Sequence, residues 1–247
     1  MIDVETYDSY LVPAIFEPWS RELINRAQVW KGDRVLDVAC GTGIVACRIA
    51  SRGAAVTGID ITPDRIERAK LRAAEEGVSV KWMEGDAQAL PFRQPAFDLV
   101  TCQQGLQFAP DRALAAREMR RVIAPGGRAV IATWCSLDQQ GPYAALDAVS
   151  QQHTGKPLFV EPFSLSDAAE LQKLLVDAKF FAVNVETVTR QVRVPDPKRF
   201  ATVMLTQNEP ADDAVIAAGC EAVAPFVEGE DLVFKLTSLV AVGRVKT

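Results

Sequence analysis

The chain of 247 residues carries 27 Lys and Arg against 32 Asp and Glu, a net charge of −5, with 49% hydrophobic residues. That is ordinary globular usage, and a chain of this length buries about 70–75% of its unfolded surface, so it holds a core without disulfides or a structural metal. The acidic balance argues against nucleic acid as a partner, because its binders carry a basic stripe. The five cysteines, Cys40, Cys47, Cys102, Cys135 and Cys220, form no C-x-x-C pair and read as reduced, buried thiols, with no metal site expected. The first residues are acidic where a secretory leader would be basic, and no apolar run approaches the roughly 18 residues of a membrane helix. A cytoplasmic protein without membrane insertion is the expectation; oligomeric state is not readable.

Along the chain, short β-branched runs at 34–38, 55–60 and 97–102 each end in small, acidic or polar residues, and a fourth spans 128–134. Helical spacing fills the gaps at 44–51, 63–76 and 111–124, the last with Ala115, Met119 and Val122 on one face and a Pro-Gly-Gly stop after it. Alternation of this kind predicts a doubly wound, mostly parallel α/β sheet with ligands at the carboxyl ends of its strands. Beyond it, a helix over 166–179 leads to an alternating strand over 183–193, helices near 197–205 and 212–224, and a final strand over 232–245, closing the sheet antiparallel. No repeat or low-complexity tract interrupts the chain.

Asp37-Val38-Ala39-Cys40-Gly41-Thr42-Gly43 follows the first strand and opens a helix. Glycines at Gly41 and Gly43 allow a tight turn and close approach of a ligand, and a helix amino end favours negative charge. Asp60 ends the second strand, where a carboxylate accepts both hydroxyls of a ribose. Gly85-Asp86-Ala87 closes a third short strand; Asp86 is placed to accept from an adenine amino group, the Ala87 amide to donate to the ring, and Ile61 to lie against it.

With this ordered series, and with Leu90-Pro91-Phe92, Phe97-Asp98-Leu99-Val100 and Pro125-Gly126-Gly127 after it, the chain resembles the class I S-adenosylmethionine-dependent methyltransferases. The nearest likeness is the branch that includes the ubiquinone and menaquinone biosynthesis enzymes, and it is good over residues 30–135. The resemblance implies a Rossmann-like, seven-stranded sheet with an antiparallel last strand and an added helical cap. It divides a single domain into an N-terminal cap or lid (1–30), a cofactor-binding core (31–135) and a substrate-side part that completes the sheet (136–247). It implies that the loop from Asp37 to Gly43, including Ala39, holds the methionine part of S-adenosylmethionine, that Asp60 holds the ribose and Asp86 with Ala87 the adenine, and that the segment from Cys102 to Phe108 faces the methyl. Gln103 is then expected on the cofactor, and Gln104 and Gln107 on the acceptor. Ala39 stands where the family often has glycine, a departure expected to cost a little room. The Asp/Asn-Pro-Pro-aromatic signature of base methylation and the paired glutamates of arginine methylation are both absent.

The implied reaction is in-line methyl transfer to a small-molecule acceptor, driven by positioning in a water-poor pocket. A same-fold cyclase or a non-catalytic partner subunit is the alternative, and a nicotinamide-binding fold shares the glycine pattern. No catalytic residue is assigned: His153, the sole histidine, sits in a polar, loop-like stretch and reads as surface. Tyr7, Tyr10, Leu11, Ile15, Phe16 and Trp19 concentrate apolar surface before the first strand, with Pro13 and Pro18 as breaks. A hinged lid over the methyl is expected there, with Tyr10, Phe16 and Trp19 as acceptor contacts and core packing as the rival reading.

Overall fold

The computed structural model describes residues 2–247. Five parallel strands form the centre: β1 (Arg34–Val38), β2 (Ala55–Asp60), β3 (Val80–Glu84), β4 (Phe97–Gln103) and β5 (Ile123–Trp134). β6 (Phe181–Pro195) and the two-residue β7 (Val227–Glu228) both pair with β8 (Asp231–Arg244), and β8 runs antiparallel to every neighbour. The order is β3-β2-β1-β4-β5-β8-β6. The direction of winding reverses between β1 and β4, so the crevice at their carboxyl ends is where such a sheet takes its ligand. The central strands are buried on both faces, which is why they read as mostly apolar runs without alternation.

Helices α3 (Ile44–Ala50), α4 (Pro63–Glu75), α5 (Arg112–Val122), α6 (Pro142–Thr154), α7 (Ala168–Asp177), α8 (Pro197–Leu205) and α9 (Asp213–Val223) surround the sheet, after an N-terminal helical stretch. The amino ends of α5, α7, α8 and α9 are capped by the carboxylates of Asp111, Asp167, Asp196 and Asp212, each accepting a backbone amide three residues on. One face of the sheet packs on α5 and α7, the other on α2 (Glu17–Ala27) and α3. β6 and β8 run 15 and 14 residues, far past the five or six of β1 and β2. Their overhanging ends, with Val192, Val194, Leu232 and Phe234, build a separate core with α6, α8 and the N-terminal helix. This is the expected added cap.

Two elements depart from the sequence reading. α6, with His153 in its last turn, replaces the expected loop; it ends where Gly155 turns left-handed at φ +73°. Its small and polar residues leave no clean apolar stripe, so periodicity does not reveal it. The N-terminal region is not broken at Pro13 or Pro18: α1 (Val4–Thr6), a π-helical stretch (Tyr7–Phe16) and α2 are contiguous. Pro13 lies inside the π stretch, where the Glu17 amide reaches the Val12 carbonyl five residues back, a register that tolerates a proline. Asp8 is buried between Arg68 (2.6 Å) and Arg72 (2.5 Å) of α4, and Glu22 is paired with Arg26 and Arg190.

Candidate functional site

A cavity of about 900 Å³ opens at the carboxyl ends of β1, β2 and β4. Its first half is built by the turn after β1. Ala39, Gly41 and Gly43 take φ of +54°, +54° and +86°, three left-handed residues at alternate positions. Ala39 therefore does more than narrow the pocket: its side chain is held in a conformation costing about 1–2 kcal/mol, which is the physical reason a glycine suits this position. Its methyl is accommodated because the facing residue is Gly105, where an added Cβ would stand 2.5 Å from the Ala39 Cβ. Gly43 corrects the sequence reading in another way. It does not line the cavity but backs onto Trp82, whose Cη2 would lie 2.6 Å from an added Cβ, so it serves the turn and its packing.

Asp37, Ala39, Gly41, Asp60, Ile61, Asp86, Ala87 and Gln103 all line this half. Asp60 is buried and bridges two elements: Oδ2 accepts from the Gly41 amide at 2.8 Å and Oδ1 from the Thr62 amide at 2.9 Å. The glycine loop and the start of α4 thus fix the carboxylate, and each oxygen retains acceptor capacity. Asp37 pairs in register with Thr101 of β4, which puts the Thr101 hydroxyl 2.7 Å from Oδ1, while Oδ2 is buried with no partner. Burial pushes the Asp37 carboxyl up to about 7; the Thr101 hydroxyl and the Ala46 amide pull the other way, and the Asp60 charge adds to the rise. Ile61 is 65% exposed, an apolar surface suited to a flat ring. Asp86 accepts from the Gln88 amide at 2.8 Å and from its side chain at 3.2 and 3.1 Å, while Gln88 Oε1 receives the Asp111 amide. Gln88 also lines the cavity and was missed by sequence reasoning; its only signal is its place two residues after Asp86. Tyr7 lies over the loop beneath Arg65, its hydroxyl pushed up to about 12 by burial.

The second half lies toward the cap. Gln103 and Gln104 border the cavity, and Gln103 Nε2 donates to the Phe16 carbonyl at 3.1 Å. Gln104 is left-handed, with φ +45°. Gln107 is corrected: it is buried behind the wall, outside the lining. Of the three aromatic candidates only Phe16 lines the cavity. The Tyr10 hydroxyl is spent on the Pro195 carbonyl at 2.7 Å, and Trp19, 1% exposed, packs edge-on against Trp134 at 5.6 Å. Both belong to the cap core, the outcome of the rival reading for those side chains. His153 is exposed and away from the cavity. The charged lining is Asp37, Asp60, Asp86 and Glu161 against Arg65 alone, an acidic pocket that favours a cationic ligand.

A doubly wound sheet whose switch point carries a glycine turn, an acid ending β2 and an acid after β3 is a Rossmann-like arrangement, and the fold is similar to that of a putative methyltransferase of Bacillus halodurans, with a TM-score of 0.65 at 21% identity over 92% of this chain and 99% of that one. Residues 36–131 match the family described as a methyltransferase domain. Over 120 residues the chain is 40% identical to the uncharacterized protein Rv1405c of Mycobacterium tuberculosis, covering 49% of this chain and 44% of that one. Over 115 residues it is 40% identical to the demethylmenaquinone methyltransferase of Thermus thermophilus, covering 46% and 52%. The chain thus spans about half the length of the curated relatives it matches. In structure it is similar to the YcgJ protein of Bacillus subtilis, with a TM-score of 0.65 at 20% identity over 92% of this chain and 98% of that one. Among the described residues no helix is long and apolar enough to cross a membrane.

Proposed function

We propose that the protein transfers a methyl group from S-adenosylmethionine to a small-molecule acceptor. The observation that carries this is one continuous cavity whose acidic, glycine-edged half and apolar half meet at Gln103 and Gln104, at the switch point of the sheet. The residues fit the cofactor: Asp60 has lone pairs left for ribose hydroxyls, Ile61 offers an uncovered apolar face to the adenine, and Asp37 supplies a buried carboxyl without a full set of partners. Asp86 and Ala87 take the adenine edge, with Gln88 yielding part of its hold on Asp86. When bound, S-adenosylmethionine supplies an electrophilic methyl, whose transfer to a lone pair of the acceptor returns the C–S electron pair to sulfur and leaves S-adenosylhomocysteine.

The chain's own part is positioning. Residues 31–135 hold the cofactor; residues 1–30 and 136–247 wall the acceptor and exclude water, a proximity effect worth about 7–11 kcal/mol. An acceptor that enters without an ionisable proton, or loses it to solvent, needs no protein base, and none is assigned. Transfer of labelled methyl to acceptors tests the reading: labelled product supports it, whereas tight binding of S-adenosylhomocysteine without transfer to any acceptor points to the cyclase or partner-subunit alternative. Asp60→Ala should weaken S-adenosylhomocysteine binding by about 1.5–3 kcal/mol, the range for hydrogen bonds to a charged group, measured by calorimetry; unchanged affinity refutes the ribose assignment.

A further inference from the structure

The glycine turn after β1 is pinned through three backbone groups. The Gly41 amide donates to Asp60 Oδ2 at 2.8 Å, the Gly43 amide donates to the Cys40 carbonyl at 3.0 Å, and the Thr42 carbonyl between them accepts from Arg72 Nε at 2.9 Å. The last two act on one peptide. Gly43, at φ +86°, has no Cβ to fix the orientation of the Thr42–Gly43 peptide, so hydrogen bonds at its two ends have to do so.

Arg72 stands in the third turn of α4, outside the cavity lining, and its remaining nitrogens reach away from the turn. Nη2 donates to Asp8 Oδ1 at 2.5 Å and Nη1 to Glu76 at 3.5 Å. Asp8 is buried in the N-terminal helix and follows Tyr7, whose hydroxyl stands over the same glycine turn, 3.7 Å from where a Cβ on Gly41 would lie. The Tyr7 ring packs on Phe16 at 5.1 Å, and both line the cavity, as do Leu11 and Ile15 further along the helix. The second Asp8 oxygen accepts from Arg68 Nε at 2.6 Å, and the other hydrogen bonds of Arg68 go to Glu75 at 3.1 and 3.0 Å. Two guanidiniums thus share one carboxylate, and one of them, Arg72, also holds the turn.

We propose that Arg72 is a positioning residue of the cofactor site, acting through the Thr42 carbonyl, and that Asp8 ties its placement to the docked N-terminal helix. This coupling rests on the methyltransferase reading and adds to it a physical link between the two halves of the cavity. A guanidinium serves a carbonyl and a carboxylate at once because its donors form a rigid planar fork; the ammonium of a lysine, on a flexible stem, does not hold that geometry. When the helix leaves α4, Arg72 loses a charge-assisted partner and the Thr42 carbonyl loses a fixed donor, so the turn no longer has one preferred shape for the methionine end of the cofactor. Linkage makes the effect reciprocal: a ligand that needs the ordered turn tightens the helix by the same factor, and with it the side of the acceptor wall that carries Leu11, Ile15 and Phe16.

Calorimetry with S-adenosylhomocysteine on the full chain tests this, together with hydrogen exchange over residues 4–16 with and without the ligand. Arg72→Met should lower affinity by about tenfold, and Arg72→Lys and Asp8→Asn by about threefold each. The double variant Asp8→Asn/Arg72→Met should bind no worse than Arg72→Met alone, because both changes break one link. Arg68→Met loosens the same carboxylate without removing a bond to the turn, so its affinity should stay within twofold of the parent; this separates positioning from a general weakening of the contact between the helix and α4. The ligand should slow exchange over residues 4–16 in the parent, and that slowing should shrink severalfold in Asp8→Asn. Where Arg72→Met does not fold, Arg72→Lys and Asp8→Asn carry the test. Parental affinity in the Arg72 variants, an equal loss in Arg68→Met, or a slowing undiminished in Asp8→Asn overturns the coupling and leaves the methyltransferase reading standing. Failure of S-adenosylhomocysteine to bind the parent overturns both.

Discussion

Asp37→Asn should make the free protein less sensitive to pH and, at the same time, a poorer binder of its cofactor. The Asp37 carboxyl titrates at about 7 in the folded chain against an ordinary value of 3.8, chiefly because burial disfavours its charge. The folded state therefore holds a proton that the unfolded chain releases between those values. Stability is greatest below pH 4, falls by up to about 1.4 kcal/mol per unit as pH rises toward 7, and levels off above it. Between pH 5 and pH 8 this one group removes roughly 2–3 kcal/mol. Asparagine keeps an oxygen for the Thr101 hydroxyl and has nothing to titrate, so that loss should vanish. Its amide nitrogen, put where Oδ2 has no partner, carries a penalty of about 1–3 kcal/mol that is the same at every pH. Urea unfolding of parent and variant at pH 5, 6, 7 and 8 measures the difference in slope. The ammonium group of the ligand's amino-acid end, entering the adjoining cavity, favours the ionised carboxyl, so S-adenosylhomocysteine should bind the parent more tightly as pH rises from 6 to 8. The variant should lack this trend and lose about tenfold or more in affinity at pH 8. Parallel stability profiles from pH 5 to 8 would refute the reasoning, because they would mean that the buried carboxyl is ionised in the free protein at no cost.

Ala39→Gly should raise stability by about 0.5–1 kcal/mol in thermal unfolding, since relief of the left-handed strain outweighs the extra freedom of glycine in the unfolded chain; Gly105→Ala, driven into the Ala39 methyl, should destabilise and be rescued in part by Ala39→Gly. Asp8→Asn should cost about 1–3 kcal/mol in urea unfolding, because Arg68 and Arg72 lose the buried carboxylate they share and keep only the carboxylates of Glu75 and Glu76 at 3.0 and 3.5 Å. Burial works against the Asp8 charge, but the Thr42 hydroxyl and the two guanidiniums hold its carboxyl below the ordinary value, so the Asp8 contribution should be full above pH 4 and decline only as pH falls below it. Asp147→Ala, which frees the Leu158 and Phe159 amides now held at 2.7 and 3.1 Å, should raise the acceptor KM severalfold and leave S-adenosylhomocysteine affinity within twofold; equal losses of both would show that it supports the whole domain and not the acceptor wall.

The core of the fold is legible because its constraints are local. β1 and β2 coincide with the runs at 34–38 and 55–60, since a strand buried on both faces is mostly apolar and does not alternate. Asp60 and Asp86 are legible as cavity residues for a different reason: one ends β2 and the other follows β3 by two residues, both at the carboxyl edge of the sheet, so their order along the chain carries their geometry. The glycine turn is legible only in part. Composition marks Gly41 and Gly43 alike, yet one edges the cavity and the other packs on Trp82, a contact between residues 39 positions apart along the chain. The same limit explains Tyr10 and Trp19. Spacing places them on a helix rich in aromatic surface, but which side of that helix meets Trp134 and the overhang of β6 and which meets the cavity is decided by the π-helical register, which shifts the faces without a mark in composition.

The acceptor side resists reading for a reason that belongs to the chemistry. A transfer that needs mainly alignment and exclusion of water places no demand for a nucleophile, a metal or a base at fixed spacing, so no motif has to exist there. What it demands is a wall of the right shape, and this chain assembles one from the N-terminal helix, α6, the connection after it, α8 and the ends of β5 and β8. Each contributes one or two side chains that look locally like core. Phe159 is indistinguishable in sequence from Phe200, although Phe159 faces the cavity and Phe200 lies fully inside the cap, both edge-on to Tyr143. Only the folded arrangement brings Gln104 and Gln207, 103 positions apart, to the same cavity.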